Sequence, residues 1–277
     1  MAISAQDVNK LRKMTGAGMM DCKKALTEAD GDFDKAVEIL RKKGQKVSAS
    51  RSDRETNEGT VFVKTNADNT VGMIITLECE TDFVAKNEEF QRAGEKILAI
   101  AFEKKPADVE ALKKEKFDDI TVGEKITELV GKIGEKIDIG AYEILKGDQV
   151  VPYVHAGSRL GVLVALKNTD GKDVSEAGRD VAMQIAAMNP VAVDKDGVDQ
   201  SVIDREIEIG KEQARAEGKP EAMLEKIATG KLNKFFKDNT LLNQAFVKDN
   251  SLTIEAYLKS VAPHLTVSDF KRVSVTA

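Results

Sequence analysis

The sequence predicts an α+β protein with a three-helix unit, a two-half pseudo-symmetric core of sheet and helix, and a projecting antiparallel helical hairpin. Three observations carry this expectation. Residues 4–44 read as three short helices punctuated by glycine, residues 60–189 repeat one strand-and-helix pattern, and residues 199–236 are highly charged with a thin apolar stripe. The chain has 277 residues, 42% hydrophobic and 32% charged, enough for a sizeable core and two or three compact units. The expected division places a docking domain at 1–46, a linker at 47–58, the halves of the core at 59–135 and 136–198, the hairpin at 199–237 and a return to the core at 238–277.

Ser4 can cap the first helix, with Asp7 where an acid reaches back and Val8 and Leu11 as the inner face. Thr15-Gly16-Ala17-Gly18 breaks that helix, since two glycines so close disfavour continuation. The second helix carries Met19, Met20, Cys22, Ala25 and Leu26. The third, capped by Asp32, carries Phe33, Ala36, Val37 and Leu40 and is expected to stop at Gly44. A mobile thioether pair such as Met19 and Met20 suits either an irregular core or an adaptable binding face. From Val47 to Glu58 the residues are polar, basic and unpatterned, so the docking unit is expected to be loosely tethered.

Thr60 to Cys79 reads as two strands joined by a polar turn, with Val61, Val63, Val71, Met73, Ile74, Ile75 and Leu77 apolar. Phe90, Ala93, Ile97, Leu98 and Ala101 then recur at helical spacing. The same order returns downstream. Gly72-Met73-Ile74-Ile75-Thr76-Leu77, Thr81-Asp82 and Ala93-Gly94 are matched by Gly161-Val162-Leu163-Val164-Ala165-Leu166, Thr169-Asp170 and Ala177-Gly178. Between the copies, Pro106 to Lys116 is a short charged helix. Thr121 and Glu124 form a capping box for a helix bearing Ile126, Leu129, Val130 and Ile133. Ile137 to Leu145 and Val150 to His155 are expected to pair as a hairpin about Lys146-Gly147-Asp148.

Ile203, Ile207, Gly210 and Ala214 follow a coiled-coil seam, Gly218-Lys219-Pro220 breaks the helix, and Leu224, Ile227, Ala228, Leu232 and Phe235 return. A small seam and charge on both sides predict an arm rather than a helix pair lying flat. Thr253 to Val261 reads as a helix, and Asp269 to Thr276 alternates like an edge strand.

A net charge of -5 argues against a general nucleic-acid binder, although Arg41, Lys42, Lys43, Lys46, Arg51 and Arg54 face only Asp53 within residues 41–54. The two cysteines, Cys22 and Cys79, have neither metal-ligand spacing nor a disulfide framework. No secretory leader, transit segment or membrane-length apolar run is evident, so a bacterial cytoplasmic protein without membrane contact is expected. His155 ends a strand and His264 is the only other histidine, which leaves no metal cluster or His-based triad in prospect. No Gly-x-x-x-x-Gly-Lys-Ser/Thr loop occurs, so the chain is not expected to hold a nucleotide that way, and no cofactor is expected.

The stretch Glu80-Thr81-Asp82-Phe83-Val84-Ala85-Lys86-Asn87 sets a carboxylate and an aromatic together between strand and helix. On residue chemistry alone two readings stand. Either Thr81, Asp82 or Asn87 caps the coming helix while Phe83 tucks into the core, or Phe83 is a wedge for another protein. Only the first repeat has Phe after Thr-Asp; the second has Gly171, which scaffold duty alone explains poorly.

This octapeptide, with Thr15-Gly16-Ala17-Gly18-Met19-Met20-Asp21-Cys22-Lys23-Lys24-Ala25-Leu26, resembles the signatures of the bacterial elongation factor Ts family in order and spacing. The likeness runs from about residue 3 to about residue 260. It implies a ubiquitin-associated-like N-terminal domain, with Arg12, Met19 and Met20 on a docking face, and it implies Ile133 and His155 on the partner-facing side of the second half. Better-known members continue into a further C-terminal module, whose contacts are not expected here.

The function implied is guanine-nucleotide exchange on elongation factor Tu, in its GDP-bound and nucleotide-free forms, without direct nucleic-acid contact. In that reading Thr81, Asp82, Phe83 and Val84 enter the partner near its Mg2+ and phosphate site. Two alternatives differ in class. A binding adaptor would form complexes without accelerating nucleotide release, and an enzyme using Glu80, Asp82 or His155 would turn over without a GTPase.

Overall fold

The computed structural model describes residues 3–275. Helix α1 (Ala5–Thr15) starts from the Ser4–Asp7 capping box and ends where Gly16 takes a left-handed φ of 67°. Helix α2 (Met19–Glu28) buries Cys22, Ala25 and Leu26. Helix α3 (Phe33–Ser50) starts at Asp32, whose side chain accepts the Asp34 and Lys35 amides.

Gly44 does not stop α3, and the expected linker is helical as far as Ser50. The glycine serves a close approach instead. A Cβ on Gly131, in helix α7 described below, would stand 2.6 Å from the Gly44 Cα. Two bare backbones cross there, and Arg41 pairs with Glu128 alongside at 3.6 Å. The three-helix unit is therefore seated on α7, and the connection shrinks to the residues after Ser50.

Strands β1 (Glu58–Thr65) and β2 (Val71–Cys79) pair antiparallel from Glu58↔Cys79 to Thr65↔Gly72. The one-turn helix α4 (Asp82–Ala85) and helix α5 (Glu88–Lys104) follow, then helix α6 (Val109–Lys114). The short strands β3 (Lys116–Phe117) and β4 (Ile120–Thr121) lead to α7 (Val122–Ile133), which carries the Thr121–Glu124 capping box.

Strand β5 (Ile137–Lys146) pairs with β2, giving the sheet order β1-β2-β5. It does not form the hairpin expected with strand β6 (Gln149–Val154), so residues 137–146 still belong to the first sheet and not to the second half expected from residue 136. At the reversal the Gly147 amide donates to the Thr70 carbonyl at 3.1 Å while the Asp148 amide donates to that of Leu166 at 3.0 Å. Lys146-Gly147-Asp148 is thus a crossing between sheets.

The second sheet has the order β10-β7-β6, with β7 at Leu160–Lys167 and β10 at Thr266–Ser274. Helix α8 (Ser175–Met188) covers it. Helices α9 (Gln200–Ala216) and α10 (Glu221–Asn239), strands β8 (Ala245–Phe246) and β9 (Asp249–Thr253), and helix α11 (Ile254–Val261) intervene before β10. As its alternation predicted, β10 lies at an edge; Thr276 lies outside the described residues.

The two sheets meet through reciprocal contacts. A Cβ on Gly72 would stand 2.6 Å from Val150 Cγ1, and one on Gly161 would stand 2.5 Å from Val61 Cγ1. Gly94 of α5 lies against the Phe62 ring just as Gly178 of α8 lies against Val151. Each helix approaches its sheet where a side chain would be excluded, so strand residues fill the gap.

Helices α9 and α10 run antiparallel, with Gly210 against Ala228 and Ala214 and Leu224 also buried. Lys211 meets Glu225 at 2.9 Å and Arg215 meets Glu221 at 2.9 Å across the pair. Ile203 and Ile207 are only half-buried, so the predicted seam is dry chiefly at its small residues.

Candidate functional site

Strand β2 ends inside the core, and four residues later the chain stands at the surface. Thr81 is extended, with φ -130° and ψ 155°, before α4 turns once. The Asn87 side chain accepts the Glu89 and Phe90 amides and so begins α5. In the short helix between them, successive side chains point about 100° apart. Val84 and Ala85 consequently face the core shared with Leu77, Phe90 and Ile97, while Phe83 and Lys86 face out.

Phe83 is 82% exposed, so the core reading of its ring is overturned and the capping belongs to Asn87. Of the four residues expected to enter a partner, Val84 is 7% exposed and packs beneath the turn. Asp82 points outward to Lys86 Nζ at 2.6 Å. The hydrogen bond and charge of Lys86 hold its carboxyl below the usual value. An ion pair this exposed to solvent is weak, so Asp82 can exchange partners cheaply.

The turn is braced from both sides. Glu135 accepts the Thr81 amide at 3.0 Å and the Thr81 hydroxyl at 2.8 Å. Glu80 accepts the Lys136 amide at 2.6 Å and the guanidinium groups of Arg51 at 3.1 Å and Arg54 at 2.8 Å. Partial burial raises the Glu80 carboxyl, but the Lys136 amide and the two guanidinium groups outweigh it and leave the carboxyl below its usual value. Lys136 Nζ donates in turn to the carbonyls of Ser52 and Arg54, both at 2.7 Å. Cys79 donates to the Thr81 carbonyl at 3.2 Å, and burial, reinforced by the Glu135 charge, pushes its thiol up to about 12. It is a packing group rather than a nucleophile.

Arg12, Met19 and Met20 are all exposed, Met19 by 52% and Met20 by 63%, which removes the core reading of the thioether pair. Met14, not singled out from sequence, is exposed as well. Ile133 closes α7 half-buried against the first core, so it belongs to the first half and not, as expected, to the second. His155 is exposed just past β6, its Nδ1 2.9 Å from the Tyr153 hydroxyl, and stands on the other sheet from Phe83.

Sequence reasoning missed Glu135 and Lys136, and it placed Arg51 and Arg54 only in a basic, unpatterned linker. Nothing local marks them, because their partners are far along the chain. Among the described residues no group of three or more His, Cys, Asp or Glu side chains is placed to hold a metal ion. No described helix is long and apolar enough to cross a membrane.

The family described as Elongation factor TS matches residues 80–277, beginning at the first residue of the signature turn. The chain is 61% identical over the full length of both sequences to Elongation factor Ts of Amoebophilus asiaticus (strain 5a2). It is 61% identical to that of Cytophaga hutchinsonii over 99% of each chain, and 54% identical to that of Christiangramia forsetii over 99% of this chain and 98% of that one. With the α+β fold and the turn where the match begins, these likenesses put the chain among the translation elongation factors. It belongs to the elongation factor Ts family.

Proposed function

We propose that this protein is a guanine-nucleotide exchange factor for elongation factor Tu, binding both the GDP-bound and the nucleotide-free GTPase in the cytoplasm. The observation that carries this reading is a phenyl ring 82% exposed on a braced turn beside an outward carboxylate. GDP in such a GTPase is held by backbone amides and by Mg2+, an ion that demands near-ideal octahedral geometry. Phe83 wedges between elements of the partner near that site, Asp82 leaves Lys86 to perturb polar groups around the ion, and GDP is released. Thr81 supports the turn, and Val84 acts from beneath it.

The rest of the chain serves this presentation. The three-helix unit is a ubiquitin-associated-like docking domain working through Arg12, Met19 and Met20. The two sheets are a pseudo-symmetric pair, with Ile133 and His155 facing the partner, and α9 and α10 form an arm. Binding nucleotide-free partner better than GDP-bound partner is the entire source of the effect, and by reciprocity GDP weakens the factor's hold.

A tenfold change in nucleotide affinity needs about 1.4 kcal/mol, and one buried aromatic supplies roughly 1.5–3 kcal/mol. Phe83→Ala should therefore slow stimulated release of mant-GDP from purified elongation factor Tu by about ten- to a hundredfold while leaving complex formation nearly intact. Wild-type stimulation by the variant would remove Phe83 from the mechanism. A stable complex without any acceleration by the wild-type protein would favour the adaptor reading.

A further inference from the structure

We propose that Glu135 is the positioning residue of the exchange turn, holding Thr81 by two hydrogen bonds so that Phe83 leaves the surface in one fixed direction. The inference rests on the exchange reading above. Its physical basis is an absence of local capping in α4. Thr81 sits at the N-cap, yet its side chain accepts no amide from the helix. The third helical position, where a capping box would put an acid, is Val84, which packs inward. The turn cannot both bury that residue and cap itself.

The acid comes instead from 54 residues further along the chain. Glu135 takes the Thr81 amide on one oxygen and the hydroxyl on the other, so translation and rotation of the N-cap are both restrained. The residues before Thr81 are tied to the same place. The Lys136 amide holds Glu80, and the Cys79 thiol holds the Thr81 carbonyl. The connection from α7 to β5 therefore acts as a bracket for a four-residue helix whose ring is otherwise surrounded by solvent. A ring delivered loosely would sample many directions, and its contacts in the partner would be made only in a fraction of encounters.

The test separates positioning from folding and from the exchange reading itself. Glu135→Ala should lower the rate of mant-GDP release at saturating factor on the order of tenfold with the half-saturating concentration unchanged, and Glu135→Gln should lower it less. Because Glu135 acts through the ring, Glu135→Ala should add nothing in a Phe83→Ala background. A saturating rate equal to wild type, or the same loss in both backgrounds, would overturn the proposal. A fluorinated phenylalanine at position 83 gives a readout without the partner. Its 19F resonance should shift or change width on Glu135→Ala or Glu135→Gln while the thermal midpoint holds, and an unaltered resonance in both variants refutes positioning. A wild-type protein that stimulates no release, but whose 19F signal responds, would sink the exchange reading alone.

Discussion

The crossing of α3 and α7 makes two similar substitutions unequal. Alanine at Gly44, inside α3, gains about 0.5–1 kcal/mol of helix propensity, and at Gly131, in the last turn of α7, at most that. At Gly44 the new Cβ would meet the Thr127 carbonyl oxygen at 3.4 Å and the Gly131 Cα at 3.7 Å, which is ordinary contact. At Gly131 it would stand 2.6 Å from the Gly44 Cα. Carbon pairs pack at about 3.5–4.0 Å, so the helices must part by about 1 Å, and overpacking of this kind costs about 1–3 kcal/mol. Gly44→Ala should be neutral or mildly stabilising; Gly131→Ala should loosen the seat of the three-helix unit by a net 1–2 kcal/mol or so. Native-state amide exchange in the last turns of α3 reads this directly, with protection falling by a factor of about 5–30 in Gly131→Ala. Undiminished protection in that variant, or greater damage from Gly44→Ala, would show that the two backbones do not meet.

Three further outcomes follow from the site. Cys22 and Cys79 are fully buried, so iodoacetamide at pH 8 should modify neither until the chain unfolds; rapid native labelling of Cys79 would contradict its place beneath the turn. Because the Cys79 thiol is raised above its ordinary 9.0, the stability it lends is lost as pH climbs past that value. Glu80 is shifted the other way, below 4.5, so its contribution is present above that pH and disappears as pH falls through the lowered value. The gap in thermal midpoint between wild type and Glu80→Gln should accordingly narrow in acid, and a constant gap from pH 7 to pH 3 would be evidence against the brace. Replacing Met19 and Met20 together by alanine should leave the unfolding free energy within about 0.5 kcal/mol of wild type, because both are exposed, and should raise the half-saturating concentration for exchange without changing the saturating rate. Cutting away residues 1–44 is the poorer test, since it severs α3 midway and bares the Gly131 face of α7.

Features whose cause is local were legible in the sequence. Ser4 with Asp7, Asp32, and Thr121 with Glu124 cap helices as their spacing requires, because each partner lies within one turn. Features whose cause is a distant surface were not. Gly44 reads as a stop until Gly131 is found opposite, and Lys146-Gly147-Asp148 marks a reversal without saying which sheet each arm joins. Phe83 could be noticed from the repeat but not aimed, since its direction depends on Val84 taking the inward position of the turn. Glu135 left no trace at all, because its two bonds span 54 residues and no periodicity connects them.

The repeat explains why one copy could acquire an exposed aromatic turn without losing the core. What the two sheets need from each other is the pair of close approaches at Gly72 and Gly161, both at the starts of central strands and so at the opposite ends from the segments that follow. The segments after those strands are therefore free to differ, and they differ in backbone as well as in side chain. After β2 the chain is extended at Thr81 and then helical; after β7 Thr169 is buried, and Asp170 and Gly171 take left-handed φ values of 52° and 71°. A large side chain at position 171 would carry roughly 1–2 kcal/mol of backbone strain. It would also lack the helical turn that points Phe83 away from the core. The main chain of the second copy thus does not offer a side chain outward as α4 offers Phe83. That leaves its sheet as the surface against which the first is held, with Phe83 presented from one side only.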